Sequence, residues 1–377
     1  MKYILFIGLL ISSTVFGQPT TKKKSVERYL LVGTYTSGKS EGIYVYKFNP
    51  NTGEVKFVST AKADNPSFLS VSPNEKFVYA VNENGDDKGS IAAYSFDKKT
   101  GTLTYLNKQP SGGDHPCYVN VDAKGKWVVA GNYTGGSLAL LPVNNDGSLA
   151  APKQVIKDEG HGVNKDRQEK PHVHSTNFSP DYKYLFVPDL GIDKVMIYSF
   201  DDKNGELKPA SPAFVETKPG AGPRHFAFHP SGKYAYLMTE MAGTVEAYSY
   251  DKHGGLKNIQ SISAMPANYT GAVGSADIHV SPDGKFLYAS NRGESNTIAI
   301  FSIGEDGRLK LLGHESTFGK TPRNFNFDPT GNFLVVANQN SDNVVIYKIN
   351  RQTGTLTPLK NQIQVPNPVC IKWANVY

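Results

Sequence analysis

Apolar residues in this chain either alternate with polar ones or run unbroken for strand lengths, as in KFVYAVN (76–82) and SIAAYSF (90–96). No stretch holds an apolar period near 3.6 residues, so the pattern predicts strands and no long helix. One version of it recurs along the chain: NPSFLSVSPNEKFVYAVNE, HPCYVNVDAKGKWVVAGNY, HVHSTNFSPDYKYLFVPDL, GPRHFAFHPSGKYAYLMTE, GSADIHVSPDGKFLYASNR and TPRNFNFDPTGNFLVVANQ. A shortened seventh copy, NPVCIKWANVY, ends it. The second residue of each copy stands at 66, 116, 173, 223, 275, 322 and 368.

In phase with these copies runs a turn element, TGEV, TGTL, DGSL, NGEL, GGL, DGRL and TGTL, with glycines at 53, 101, 147, 205, 255, 307 and 354. Asn-Gly or Asp-Gly between strand-like runs marks a hairpin, because glycine takes positive φ without penalty. Each unit therefore reads as four strands, which is the period of a propeller blade and not of a helical solenoid. The last copy supplies a single strand, while YLLVGTY and GIYVYKF near the start have no copy before them. Joining the two ends completes one blade and leaves no open edge. The expected fold is all-β: a seven-bladed propeller over residues 29–377, four antiparallel strands per blade, closed by a blade shared between the termini. Independent sandwiches would not explain the split copy.

MKYILFIGLLISSTVFG opens with a basic residue, an apolar run and small residues at 15 and 17, the layout of a cleaved secretory signal over residues 1–17. The run is short for a membrane span. Residues 18–28 then read as a polar tether, and a periplasmic or secreted protein is expected, with no membrane association after cleavage. Net charge is +6, but the basic residues are scattered, apart from Lys22 to Lys24, so no nucleic-acid footprint is visible. Only Cys117 and Cys370 are present, which excludes a disulfide framework.

In a ring of blades, equivalent repeat positions form rings around a central funnel, so the repeat alignment acts as a coordinate. One column reads Ser67, Cys117, His174, Arg224, Ala276, Arg323, Val369; another reads Glu83, Tyr133, Leu190, Glu240, Arg292, Gln339. Purely packing positions would be uniformly apolar, and these are not. His174, Arg224, Glu240 and Arg292 fall on three consecutive blades, with Arg323 on the next. Guanidiniums pair with carboxylate or phosphate, and a neighbouring Glu or His can move a proton, so the cluster suits an anionic substrate. The bland alternative is a set of ion pairs tying blades together, Glu240 with Arg224 or Arg292.

The unit containing His174 is longer than the rest and carries the polar insert KDEGHGVNKDRQEK just before PHVH. Its His161, Arg167 and Gln168 are candidate rim contacts; Lys165 and Asp166 read as solvated. His172 and His225 flank the cluster as candidate substrate contacts beside Arg167 and Arg323, although His172 also reads as a supporting histidine. H-x-H by itself is a weak metal signal without a third ligand at suitable spacing, so neither metal nor other cofactor is expected. Cys117 reads as core filler more readily than as a nucleophile. No G-x-S-x-G and no Walker-type loop occurs.

VGTYT, RQEKPHVHSTNFSPD, GAGPRHFAFHPSGKYAYLMTE and SADIHVSPDGKFLYASNRG resemble the lactonase family of seven-bladed propellers, over residues 29–376. That family includes the propeller-type 6-phosphogluconolactonases and is similar to the fungal carboxymuconate-lactonizing enzyme. The resemblance implies a metal-free active site on His174, Arg224, Glu240 and Arg292, and hydrolysis of a sugar lactone, either 6-phosphoglucono-1,5-lactone or a related exported aldonolactone. Arg224 and Arg292 would hold an anion or the developing oxyanion; Glu240 or His174 would take a proton from water. Thr239 stands where relatives usually carry Asn. Export sits awkwardly with a phosphorylated, cytoplasmic substrate. A monomer acting on a small anionic lactone is expected; the competing reading is a non-catalytic propeller that binds a carbohydrate or protein partner in the cell envelope.

Overall fold

The structure is a computed structural model that describes residues 1–3, 26–360 and 362–376. Most of the expected signal segment, and the tether up to residue 25, lie outside the described residues.

Among the described residues the strands form seven antiparallel sheets arranged as seven blades. The first blade joins the ends of the chain: Pro368–Asn375 is its inner strand and pairs with Arg28–Thr34, followed by Gly42–Phe48 and Val55–Lys62. The second to sixth blades begin at Leu69, Pro116, Asn177, Pro223 and Ser275, each with four strands in chain order. The seventh begins at Pro322, and its outer strand is split into Leu356–Pro358 and Ile363–Gln364. The cores lie between neighbouring blades. One cluster, for instance, packs Val45 of the first blade with Val81 of the second and Val128 of the third.

Two features of the repeat have local causes. The turn glycines do adopt positive φ, from 62° at Gly205 to 91° at Gly254, which takes this conformation in place of the expected Gly255. A second constraint was not visible in the sequence. Each of these glycines lies against an aromatic ring of the preceding blade, Gly101 on Tyr29, Gly205 on Trp127 and Gly307 on Tyr234, where a Cβ would collide. The glycine therefore shapes its own hairpin and interlocks adjacent blades.

The second feature aims the site. Four inner strands start with Pro or Ser and slip register at once, between Pro116 and Tyr118, Pro223 and His225, Ser275 and Ile278, and Pro322 and Asn324. A proline fits there because the innermost strand is a sheet edge at the axis and needs no N–H to its inner side. The bulge turns Cys117, Arg224, Ala276 and Arg323 out of the pleat, and bulges commonly re-aim side chains in this way.

Candidate active site

Glu240 follows the strand Tyr234–Thr239 at the funnel end of the fifth blade and is buried. Three guanidiniums converge on its carboxylate. Arg224 Nε donates to Oε2 at 2.8 Å and Arg167 Nη2 to Oε1 at 2.6 Å, while Arg292 Nη2 forms an ion pair with Oε2 at 2.9 Å. His174 Nε2 stands 3.9 Å from Oε2. The structure thus brings together five of the eight candidate residues around one carboxylate. The ion-pair alternative is also met as geometry, because Glu240 pairs with both Arg224 and Arg292.

Burial alone would push the Glu240 carboxyl up, but the Arg292 and Arg224 guanidiniums outweigh it and hold it well below the ordinary carboxylate range. A carboxylate so stabilised is a poor proton acceptor. Burial, then the Arg224 charge, holds His174 well below its ordinary value, so the imidazole stays neutral. Burial and the neighbouring Arg292 bring Arg224 down to about 10. Arg224 also donates to Ala276 O at 2.8 Å, and Arg292 Nε to Gly274 O at 2.8 Å. Among the described residues, Nη2 of Arg224 and Nη1 of Arg292 have no protein acceptor.

The insert reaches the site through Arg167, which also donates to Tyr133 OH at 3.2 Å. Gln168 is no rim residue: it is fully buried, donates to Leu190 O and accepts from Asn164 N, bracing the insert from inside. His161 is exposed and lines a separate cleft of about 380 Å³ with Glu159, Asp193 and Glu216. His172 has both ring nitrogens engaged, with Tyr133 O at 3.0 Å and Glu169 at 3.3 Å, and stacks on Tyr133 at 4.5 Å. Its geometry is that of a support for Tyr133, not of a substrate contact. His225 sits against His174, ring centres 5.4 Å apart, and its Nδ1 lies 2.7 Å from Asp277. Arg323 makes no ion pair with Glu240 but lies near enough to feel its charge, with its guanidinium over Tyr35. The Cys117 thiol, 3.8 Å from His174 Nδ1, is pushed up by burial and then by Glu83, which removes it as a thiolate nucleophile.

Sequence reasoning missed the anchor of the insert. Asp189, fully buried, accepts from His172 N at 2.7 Å and Gly191 N at 2.8 Å through Oδ1. Its Oδ2 and Oδ2 of Asp158 are both buried without a hydrogen-bond donor, and the two carboxyls act on each other, so a single proton held between them would satisfy both. Burial, then the Asp158 charge, holds Asp189 well above its ordinary value. A carboxyl whose folded value is raised contributes most stability below its unfolded value of 3.8 and loses it as pH rises towards the folded one. An Asp158→Asn amide supplies the donor at every pH. The variant is expected to gain about 1–3 kcal/mol at pH 8, the cost of an unmet buried polar group, and little at pH 4. Urea melts at the two pH values check this, and equal gains at both would contradict it.

A family described as "Lactonase, 7-bladed beta-propeller" matches residues 29–373. A Bacillus subtilis protein named 6-phosphogluconolactonase is 42% identical over 349 residues, 91% of this chain and 97% of that protein. A Formosa agariphila protein of the same name is 41% identical, covering 89% of this chain and 96% of its own length. Among solved structures, the periplasmic gluconolactonase of Pseudomonas aeruginosa superposes with a TM-score of 0.88 at 38% identity, over 93% of this chain and all of that one.

Proposed function

The chain belongs to the seven-bladed β-propeller lactonase family, and from that premise we propose that it hydrolyses a sugar δ-lactone at the Glu240 cluster. Relatives named 6-phosphogluconolactonase and a neighbour named periplasmic gluconolactonase support a sugar lactone as substrate. The observation that carries the site assignment is the excess of guanidinium: three arginines on one buried carboxylate, with an Nη group on each of Arg224 and Arg292 left without an acceptor among the described residues.

Glu240 fixes the arginines and does not itself take a proton. Water attacks the lactone carbonyl carbon, and negative charge grows on the carbonyl oxygen, where Arg292 and Arg224 stabilise it. Preorganised donors of this kind contribute a few kcal/mol to the transition state. His174, kept neutral by its surroundings, takes the water proton through Nε2. As the ring C–O bond breaks, it returns that proton to the departing alkoxide, leaving an open-chain hydroxy acid. No step calls on a metal, and the surrounding cations oppose one. The uncommitted charge of Arg323 favours an anionic lactone, so the phosphorylated substrate is expected to show the higher kcat/KM. The protein acts as an exported monomer; the signal-like residues 1–17 and the periplasmic name of a neighbour 38% identical to it support export. Among the described residues no helix is long and apolar enough to cross a membrane.

Acid release from glucono-1,5-lactone and its 6-phosphate, measured in EDTA, tests the reading; activity lost in EDTA and restored by a divalent ion, or no hydrolysis of either, would overturn it. The pH profile tests the base. Because His174 sits below 6.5, kcat/KM is expected to stay level through neutrality and fall on the acid side with an apparent pKa under that value. A fall centred above 6.5 would point to another group.

A further inference from the structure

Glu83 follows the second strand of its blade, Phe77–Asn82, and occupies the repeat position of Glu240, on the second blade where Glu240 is on the fifth. The two carboxylates are held in opposite ways. Glu240 is saturated by cations. Glu83 is half-buried and accepts only from neutral hydroxyls, Tyr35 OH at 2.9 Å and 2.8 Å from its two oxygens, and Ser67 Oγ on Oε2. Among the described residues no cation pairs with it. Tyr35 in turn lies under the Arg323 guanidinium, 5.5 Å from ring centre to Cζ, and Arg323 makes no hydrogen bond or ion pair among the described residues. Both groups open on the same funnel as the Glu240 cluster: Cys117, in contact with His174, feels the charges of Glu83, Arg323 and Arg224 together.

An ionised carboxylate offers about four acceptor positions, and Tyr35 and Ser67 do not exhaust them. A carboxylate bordered by hydroxyls, beside a guanidinium with an empty fork, is a set of groups suited to a polyol. Its acceptors take sugar hydroxyl protons and its donors take sugar oxygens or a terminal anion. We infer that Glu83, Tyr35, Ser67 and Arg323 form the polyol-recognising wall of the funnel, which selects hydroxylated lactones over bare ones. The inference rests on the lactonase reading and adds to it the residues that choose the substrate. Hydrogen bonds from a hydroxyl to a charged acceptor are each worth about tenfold to a hundredfold in affinity. A site built around such bonds rejects analogues that cannot make them.

The experiment compares glucono-1,5-lactone with δ-valerolactone, the same ring without hydroxyls, on the full chain and on Glu83→Gln and Tyr35→Phe. Glu83→Gln keeps the shape and replaces one acceptor oxygen by a donor. The ratio of kcat/KM for the hydroxylated over the bare lactone is expected to fall at least tenfold in Glu83→Gln, mainly through KM, and in the same direction but less in Tyr35→Phe. A ratio unchanged within twofold in both variants overturns the wall. Calorimetric binding of gluconate, which needs no turnover, separates this from failure of the lactonase reading. Gluconate binding weakened tenfold by Glu83→Gln supports the wall even where neither lactone is turned over. Unaltered gluconate binding overturns it even in an active enzyme.

Discussion

Arg224→Met is expected to cut lactone turnover about 100- to 1,000-fold, the usual cost of one oxyanion donor, without lowering the melting temperature. Arg224 is almost wholly buried, about 1% exposed, and shares the Glu240 carboxylate with Arg292 and Arg167. Around that carboxylate positive charge is in excess, and the pressure shows in Arg224 itself, which burial and the neighbouring Arg292 bring down to about 10. Methionine fills a similar volume, removes a desolvated charge and relieves the repulsion with Arg292. Exchanging buried ions for apolar side chains is often neutral or stabilising. Against this stands the bond to Ala276 O, worth about 1 kcal/mol. Glu240 keeps two partners throughout. Steady-state kinetics and a thermal melt on the same preparation read both quantities. Normal specific activity in the variant would remove Arg224 from the reacting centre.

Glu240→Gln is expected to behave differently despite being the smaller change in shape. It leaves Arg224, Arg292 and Arg167 in contact range of one another with no anion among them. Removing one partner of a buried pair costs about 3–5 kcal/mol, and here one carboxylate serves three partners. The variant should therefore melt well below the parent and lose turnover, because the arginines lose the anchor that aims them. A melting temperature equal to the parent's would show that the carboxylate is not the electrostatic keystone of the site. A destabilised Glu240→Gln that kept full activity while folded would make the cluster a blade tie and nothing more. The two substitutions thus separate roles that the repeat columns alone left equivalent: the organising role proposed for Glu240 and the substrate-facing role proposed for the arginines.

The blade count, the shared terminal blade and the strand order were legible in the sequence because they follow from local rules. Side chains alternate faces every two residues, hairpins need a residue at positive φ, and the register of one copy repeats in the next. Gly53 and Gly101 mark their turns whatever surrounds them. The same regularity turned the alignment into a map of the funnel, which is why His174, Arg224, Glu240 and Arg292 could be singled out before any contact was seen. Glu83 was on that map too, but nothing in a column distinguishes a carboxylate pinned by guanidiniums from one bordered by hydroxyls.

That distinction belongs to tertiary structure. Glu240 meets arginines 16, 52 and 73 residues away along the chain, and whether charges so separated touch is fixed by blade geometry and by the path of one insert. His172 is the clearest case: the motif PHVH makes its two histidines look alike, yet stacking on Tyr133 and a bond to Glu169 occupy one, while the other faces Glu240. Asp158 and Asp189 likewise have no sequence signature, since their facing Oδ2 atoms lose water only when the insert packs down on the blade. The sequence by itself determined the ring and which positions face its axis, because strand period and turn conformation are properties of neighbouring residues. Which of those positions are charged together, kept neutral or left open for a ligand was decided by folding alone, because burial and proximity, which set ionisation, exist only once the blades have closed.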